Sequence, residues 1–194
     1  MTRNPQTRTR ILDAAERLFA ERGFDATPTA AIADLASVPK GLLFYYFPSK
    51  TDLLRALVTE RLDLDPIDTT DLVAPGDPAR TLLNVTRRLH ELQEASEVRR
   101  VIVWREERTH PEVRARLGDY RRQLQNIVER VLGASVIHPI AARRLRTAAA
   151  AWVAIITAAA PSATADRGSD PREEPAGLPE LADLISAGLG APGA

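Results

Sequence analysis

Few of the side chains able to do chemistry are spaced to do it together. His90, His110 and His138 lie far apart and form no His-x-x-x-His pair, the helical spacing that brings two imidazoles onto one metal ion. Glu106-Glu107 and Glu173-Glu174 are adjacent pairs, and neighbouring side chains diverge, so neither pair faces itself across a substrate. The chain contains no cysteine and no glycine-rich phosphate loop, which excludes disulfides, thiolate metal sites and cysteine nucleophiles. No catalytic residue, metal or cofactor is expected. The chemistry that remains is binding. Lys40 and Lys50 are the only lysines among 26 basic residues, and that bias by itself carries no mechanism.

The segments that must carry these residues read as helices. Ile11, Leu12, Ala15, Leu18 and Phe19 fall at i, i+1, i+4, i+7 and i+8, one apolar stripe of a first helix, and Gly23 ends it. Thr27-Pro28 reads as an N-cap followed by Pro at the first helical position, opening a short helix through Leu35. A three-residue turn around Ser37 leads to Pro39 and a second short helix that ends before Pro48. Ser49 with Asp52 resembles a capping box and starts a fourth helix carrying Leu53, Leu54, Leu57 and Val58. Arg3, Arg8 and Arg10, with no acid before Asp13, read as a basic arm.

Beyond this, residues 65–77 are rich in Asp, Pro and Thr and predict a loop at a domain seam. Asp77-Pro78, His110-Pro111, His138-Pro139 and Leu178-Pro179 mark helix starts. Val113, Leu117, Tyr120, Leu124, Ile127 and Val131 step by 4, 3, 4, 3, 4. Residues 161–175 read as a flexible loop. No segment shows strand alternation with turn signals, so the class is all-α. Basic and acidic residues balance at 26 each, and 44% of residues are apolar. A polybasic tail and a disordered acidic chain are both excluded, and any nucleic-acid surface must gather its positive charge on one face. No signal peptide is visible and residues 147–160 are too short to span a membrane; a cytoplasmic protein is expected.

Residues 11–54 resemble the DNA-binding domain of the TetR family, the tetracycline-repressor-like regulators. The likeness runs through Ile11-Leu12-Asp13-Ala14-Ala15-Glu16-Arg17-Leu18-Phe19 and Gly23-Phe24-Asp25-Ala26-Thr27. It continues through Ile32-Ala33, Val38-Pro39-Lys40-Gly41 and Phe44-Tyr45-Tyr46-Phe47-Pro48-Ser49-Lys50. It implies a three-helix helix-turn-helix domain over residues 1–55 and a larger helical effector-binding and dimerisation domain over residues 56–194. A recognition helix over residues 39–45 would enter a major groove roughly 12 Å wide. Lys40 would then meet guanine O6 or N7 or a phosphate, Gly41 would allow close approach, and Leu42 would touch a thymine methyl. Tyr45, Tyr46 and Thr27 would offer hydroxyls to phosphates, and Lys50 its charge. Tyr46 has packing within the domain as its other reading, and Thr27 has capping. Phe44 and Phe47 are expected in the core. The chain departs from the family pattern where Ser37 replaces the turn glycine, where Pro39 replaces a capping Ser or Thr, and where Leu42 and Phe44 replace Thr and Tyr. Ala30 stands where some relatives place a polar base reader.

The resemblance also implies a homodimer on a two-fold symmetric DNA operator, an unidentified small-molecule effector, and repression released by that ligand. The helices over about 139–160 and 178–189 would form the dimer face, with Trp152, Ile155 and Ile156 supplying area beside small alanines. Aromatic walls with few polar groups suit a ligand pocket, and His90, Trp104, Arg105 and Tyr120 are the candidates for it.

Overall fold

The computed structural model describes residues 4–62, 64, 67–94, 96–98, 102–158 and 177–190. Among these residues there is no strand, and the chain is all-α as expected. The helices are α1 (Pro5–Arg22), α2 (Thr29–Leu35), α3 (Lys40–Tyr46), α4 (Lys50–Arg61), α5 (Pro78–Glu94), α6 (Val103–Glu106), α7 (Pro111–Ser135), α8 (Ala142–Ala158) and α9 (Leu178–Gly190). A single 3-10 turn, Thr70–Leu72, interrupts the described part of the loop before α5.

The first compact unit comprises residues 1–63 and 93–118. Its helix α1 begins earlier than the apolar stripe suggests. Asn4 caps it by accepting from the Gln6 N–H at 2.9 Å, and Pro5 occupies the first turn, where its missing N–H costs nothing. This corrects the basic arm. Arg8 and Arg10 are helical, Arg8 paired twice with the Glu60 carboxylate at 2.5 and 2.6 Å and Arg10 donating to the carbonyls of Ala36 and Ser37. The Glu60 hydrogen bond holds the Arg8 guanidinium above its ordinary pKa. Arg3 lies outside the described residues. The predicted stripe of α1 is buried throughout, together with Ile32 and Ala33 of α2, Leu43 of α3 and the four apolar residues of α4.

Residues 93–118 join this unit for a physical reason that a linear reading misses. They supply polar groups to the helix ends of the N-terminal domain. Arg105 donates to the Phe19 and Ala20 carbonyls at the end of α1 at 3.1 and 3.2 Å. Arg116 does the same at the end of α4, to Thr59 and Leu62, at 3.3 Å each. The last carbonyls of a helix lack their full set of intrahelical donors, and here distant residues add to what the chain supplies locally, such as the Gly23 N–H to the Phe19 carbonyl. The expected division at 55/56 therefore differs from the observed one. The whole of α4 belongs with α1, to which it is also tied by the Arg61–Asp13 ion pair.

The second unit comprises residues 64–92 and 119–194. Its core includes Leu82, Val85 and Leu89 of α5, Tyr120, Leu124, Val128, Val131 and Leu132 of α7, Trp152 and Val153 of α8, and Ala182 of α9. In α7 the buried series runs 113, 117, 120, 124, 128, 131, so Val128 takes the place predicted for Ile127. Both series average 3.6 residues per step between 113 and 131, so helical period alone does not separate Ile127 from Val128, and tertiary packing selects Val128. Helix α8 starts at Ala142, three residues after the predicted Pro139. The loop predicted over residues 161–175 lies outside the described residues.

Candidate nucleic-acid interface

The connection between α2 and α3 is built around one strained residue. Ser37 adopts φ 52°, the left-handed region. Its N–H bonds the Asp34 carbonyl at 3.0 Å while the Val38 N–H bonds the Ala33 carbonyl at 3.0 Å. This is the Schellman pattern of a helix C-terminus, with Ser37 where glycine is usual. Arg10 secures it from α1, its guanidinium 2.5 and 2.9 Å from the Ala36 and Ser37 carbonyls. At the far end of α3, Phe47 is extended with φ −134° and ψ 98°. Pro48 forbids the preceding residue a helical conformation, so α3 stops there.

On α3 the exposed residues are Lys40, Gly41, Phe44 and Tyr45, with Leu43 and Tyr46 buried and Leu42 between the two classes. Each residue turns the helix by about 100°, so positions 40, 44, 41 and 45 follow one another around a single arc facing away from the core. Phe44 is 37% exposed and Tyr45 43%. The Lys40 ammonium sits over the Phe44 ring, 5.9 Å from its centroid. A Cβ on Gly41 would meet nothing within 4 Å, so the face is open at that point. The arc offers a cation, a phenol, an aromatic ring and a bare stretch of backbone, a set suited to contacting a nucleic-acid groove.

Several predicted contacts are placed elsewhere. Thr27 is 0% exposed and its hydroxyl donates to the Leu18 and Gly23 carbonyls at 3.1 and 2.7 Å. It is turned away from any phosphate and does not cap α2; Pro28 is the N-cap of that helix, without a side-chain bond. Tyr46 is buried, its phenol accepting from the Asn4 N–H at 2.7 Å and donating to the Asn4 carbonyl at 3.1 Å. Packing, the other reading of this residue, is the one observed. Lys50 turns inward. Its ammonium donates to the carbonyls of Phe24, Asp25 and Thr27 at 2.8, 3.3 and 3.0 Å, and lies 4.4 Å from the Phe24 ring centroid. Three carbonyls take up the three donors of an ammonium group, which ties the start of α4 to the α1–α2 turn. Phe47 is core as expected, but Phe44 is not. The 100° rule would have found this, since Phe44 falls four residues after Lys40 on the same face. Ser49 caps α4 by accepting from the Asp52 N–H at 3.0 Å and donating to its carboxylate at 2.7 Å.

The α1–α2 turn is held from a second direction by a residue no motif announced. Glu106 of α6 is buried, and its carboxylate accepts the Phe24 N–H at 3.1 Å. His110 packs edge-on against Phe24 with centroids 4.4 Å apart. Only the tertiary fold brings residue 106 to residue 24.

The four residues predicted for a ligand pocket are not gathered in one unit. Trp104 and Arg105 belong to the first and His90 and Tyr120 to the second. Arg105 is occupied by the α1 carbonyls, His90 is exposed and Tyr120 is core. The second unit instead contains a cleft of about 570 Å³ between the end of α7, the start of α8 and the end of α9. Its walls include Val136, Ile137, Ile140 and Leu189, with His138 and Arg144 as polar members. Trp152 leaves the predicted dimer face: it is 0% exposed within one chain, and its indole N–H donates to the Thr86 hydroxyl at 3.2 Å. Ile155 and Ile156 are half-buried.

Comparison with known proteins agrees with this geometry. Residues 11–57 match the sequence profile of the family described as bacterial regulatory proteins, tetR family. The HTH-type transcriptional regulator TtgR of Pseudomonas putida is 43% identical over 53 residues, which are 27% of this chain and 25% of that protein. AcrR of Shigella flexneri, also an HTH-type transcriptional regulator, is 31% identical over 104 residues, 50% of this chain and 46% of that protein. The chain thus spans between a quarter and about half the length of these curated relatives. Among solved structures, Salmonella enterica GusR aligns with a TM-score of 0.68 at 20% identity, covering 98% of this chain and 99% of that one. The multidrug binding protein EbrR, solved with imidazole, aligns at 0.61 and 19%, covering 98% and 94%. At such identities the likeness is one of fold.

Proposed function

We propose that the chain is a member of the TetR family of bacterial regulatory proteins, whose profile its residues 11–57 match, and that it is a sequence-specific, DNA-binding transcriptional regulator that acts as a homodimer in the cytoplasm. The observation that carries this reading is the exposed arc of α3, where Lys40, Gly41, Phe44 and Tyr45 stand clear of the core on a helix fixed by Ser37, Arg10 and Pro48. Lys40 and Tyr45 supply the polar contacts. With Lys50, Thr27 and Tyr46 engaged internally, the interface holds fewer phosphate contacts than the motif alone implies.

A two-fold operator is read by two recognition helices about one helical turn of DNA apart, which requires a paired subunit. Support for pairing comes from α8 and α9. Thr147, Ala150, Ala151, Ala154 and Ala158 are exposed along one face of α8, and Leu181 and Leu184 on α9, the latter 68% exposed. Small side chains allow close helix approach and the leucines supply apolar area. The cleft beside Ile140 and Arg144 falls within the size range of small-molecule sites and is the place where an effector would bind. Repression relieved by that effector completes the reading: a ligand favouring a subunit separation unsuited to the operator lowers DNA affinity. The competing use of such a domain is as a protein-binding adaptor. Selection of bound sequences from random duplex DNA, followed by mobility shifts at graded salt, separates the two. A two-fold symmetric consensus whose affinity falls steeply with salt is expected; failure to enrich any sequence refutes the DNA reading.

A further inference from the structure

Phe44 is a large apolar side chain in the middle of the surface that would meet DNA. Taking about 100° per residue, Gly41 and Phe44 are the two central positions of the exposed arc, with Lys40 and Tyr45 at its margins. Leu42, the residue that the motif assigns to a thymine methyl, falls about 160° away from Phe44 and is half-buried, so it cannot share that contact. Resting on the DNA-reading function, we propose that Phe44 determines specificity by reading the C5-methyl group of thymine in the major groove.

The floor of the major groove is lined by hydrogen-bonding atoms: N7, O6 and O4 accept, and the exocyclic N4 and N6 amines donate. The thymine methyl is its one apolar group. A phenyl ring pressed on any of the polar atoms removes them from water and returns no hydrogen bond, which is unfavourable. Against the methyl, both partners lose only apolar contact with water. The surroundings suit this role. Gly41, beside Phe44 on the arc, has open space where a Cβ would stand, so no side chain holds the ring away from the groove floor. The Lys40 ammonium lies over the ring at 5.9 Å, so the flanking polar reader is kept beside the apolar one by a cation–π contact.

The test uses the full chain and the duplex it selects from random DNA. Each thymine of the half-site is replaced in turn by deoxyuracil, which deletes only the methyl. At one position per half-site the wild-type chain should lose about fourfold in affinity per methyl. Phe44→Leu should keep that sensitivity, and Phe44→Ala should bind thymine and uracil duplexes alike. At the sensitive position 5-iodouracil, whose iodine occupies the place of the methyl, should photocrosslink to Phe44; this reading does not depend on any variant folding. A half-site indifferent to uracil throughout, sensitivity that survives in Phe44→Ala, or a crosslink to Tyr45 or Leu42 overturns the proposal while leaving DNA binding intact. A chain that enriches no sequence fails earlier, at the DNA-binding function itself.

Discussion

Lys50 offers the clearest separation between a contact to DNA and a contact within the fold. Its ammonium bonds three backbone carbonyls in the α1–α2 turn and lies over Phe24. Replacement by Met keeps the apolar stem against Phe24 and removes the charge and its three donors. A hydrogen bond to a charged group contributes roughly 1.5–3 kcal/mol when fully formed and buried. These three share one partly solvated ammonium, and water replaces some of what is lost, so about 2–3 kcal/mol in total is the expected destabilisation. For a chain of this size that corresponds to a fall in Tm of about 4–12 °C. Lys50→Ala, which also exposes Phe24, should fall further. Thermal unfolding measures the first quantity, and the slope of log affinity against log salt measures the second. Every phosphate contact contributes about 0.9 to that slope, so a lysine spent inside the fold leaves it unchanged. A Lys50→Met chain that melts like the wild type but loses about one unit of salt slope would refute the internal clamp and return Lys50 to the phosphates.

Other consequences follow from single contacts. Ser37→Gly should raise stability by about 0.5–1 kcal/mol, because a side chain at φ 52° is strained whereas glycine is not; denaturant midpoints check it, and a loss would mean that the Ser37 side chain itself matters. Glu106→Ala should destabilise by about 1–3 kcal/mol, since it leaves the Phe24 N–H without its buried acceptor, while Glu106→Gln retains an acceptor and should cost less; equal losses in urea unfolding would exclude the hydrogen bond as the cause. Leu184→Asp should turn the proposed dimer into monomers at micromolar concentration, because a two-fold interface brings the new carboxylate near its own copy; sedimentation equilibrium reads this directly, and an unaltered dimer would place the interface elsewhere.

Much of the site is legible in residue types alone. Gly23 at φ 83°, the Ser49–Asp52 cap, the proline-led starts of α5 and α7 and the stop before Pro48 all appear where the residue types require them. The backbone demand at Ser37 is different: it is implied by the family resemblance, which places a glycine there, and not by the residue type. The others are local effects: a missing N–H, a ring-locked φ or a side-chain oxygen acts within a few residues, and sequence order alone specifies them. Phe44 is an intermediate case. Its exposed position follows from helical rotation, yet the assumption that phenylalanine is interior hides it.

What local chemistry could not decide is the partner of each long polar side chain. Lys50, Arg8, Arg10, Arg105 and Glu106 could all have faced solvent or DNA by type. Each is instead claimed by a group tens of residues away. Four of these partners are backbone groups at helix ends and turns and the fifth is the Glu60 carboxylate, and only the assembled fold determines which charged side chain lies within reach of them. The sequence by itself thus determined the all-helical class, most helix starts and stops, and the likeness to a helix-turn-helix domain. Tertiary structure alone decided which of that domain's polar residues are engaged inside the fold.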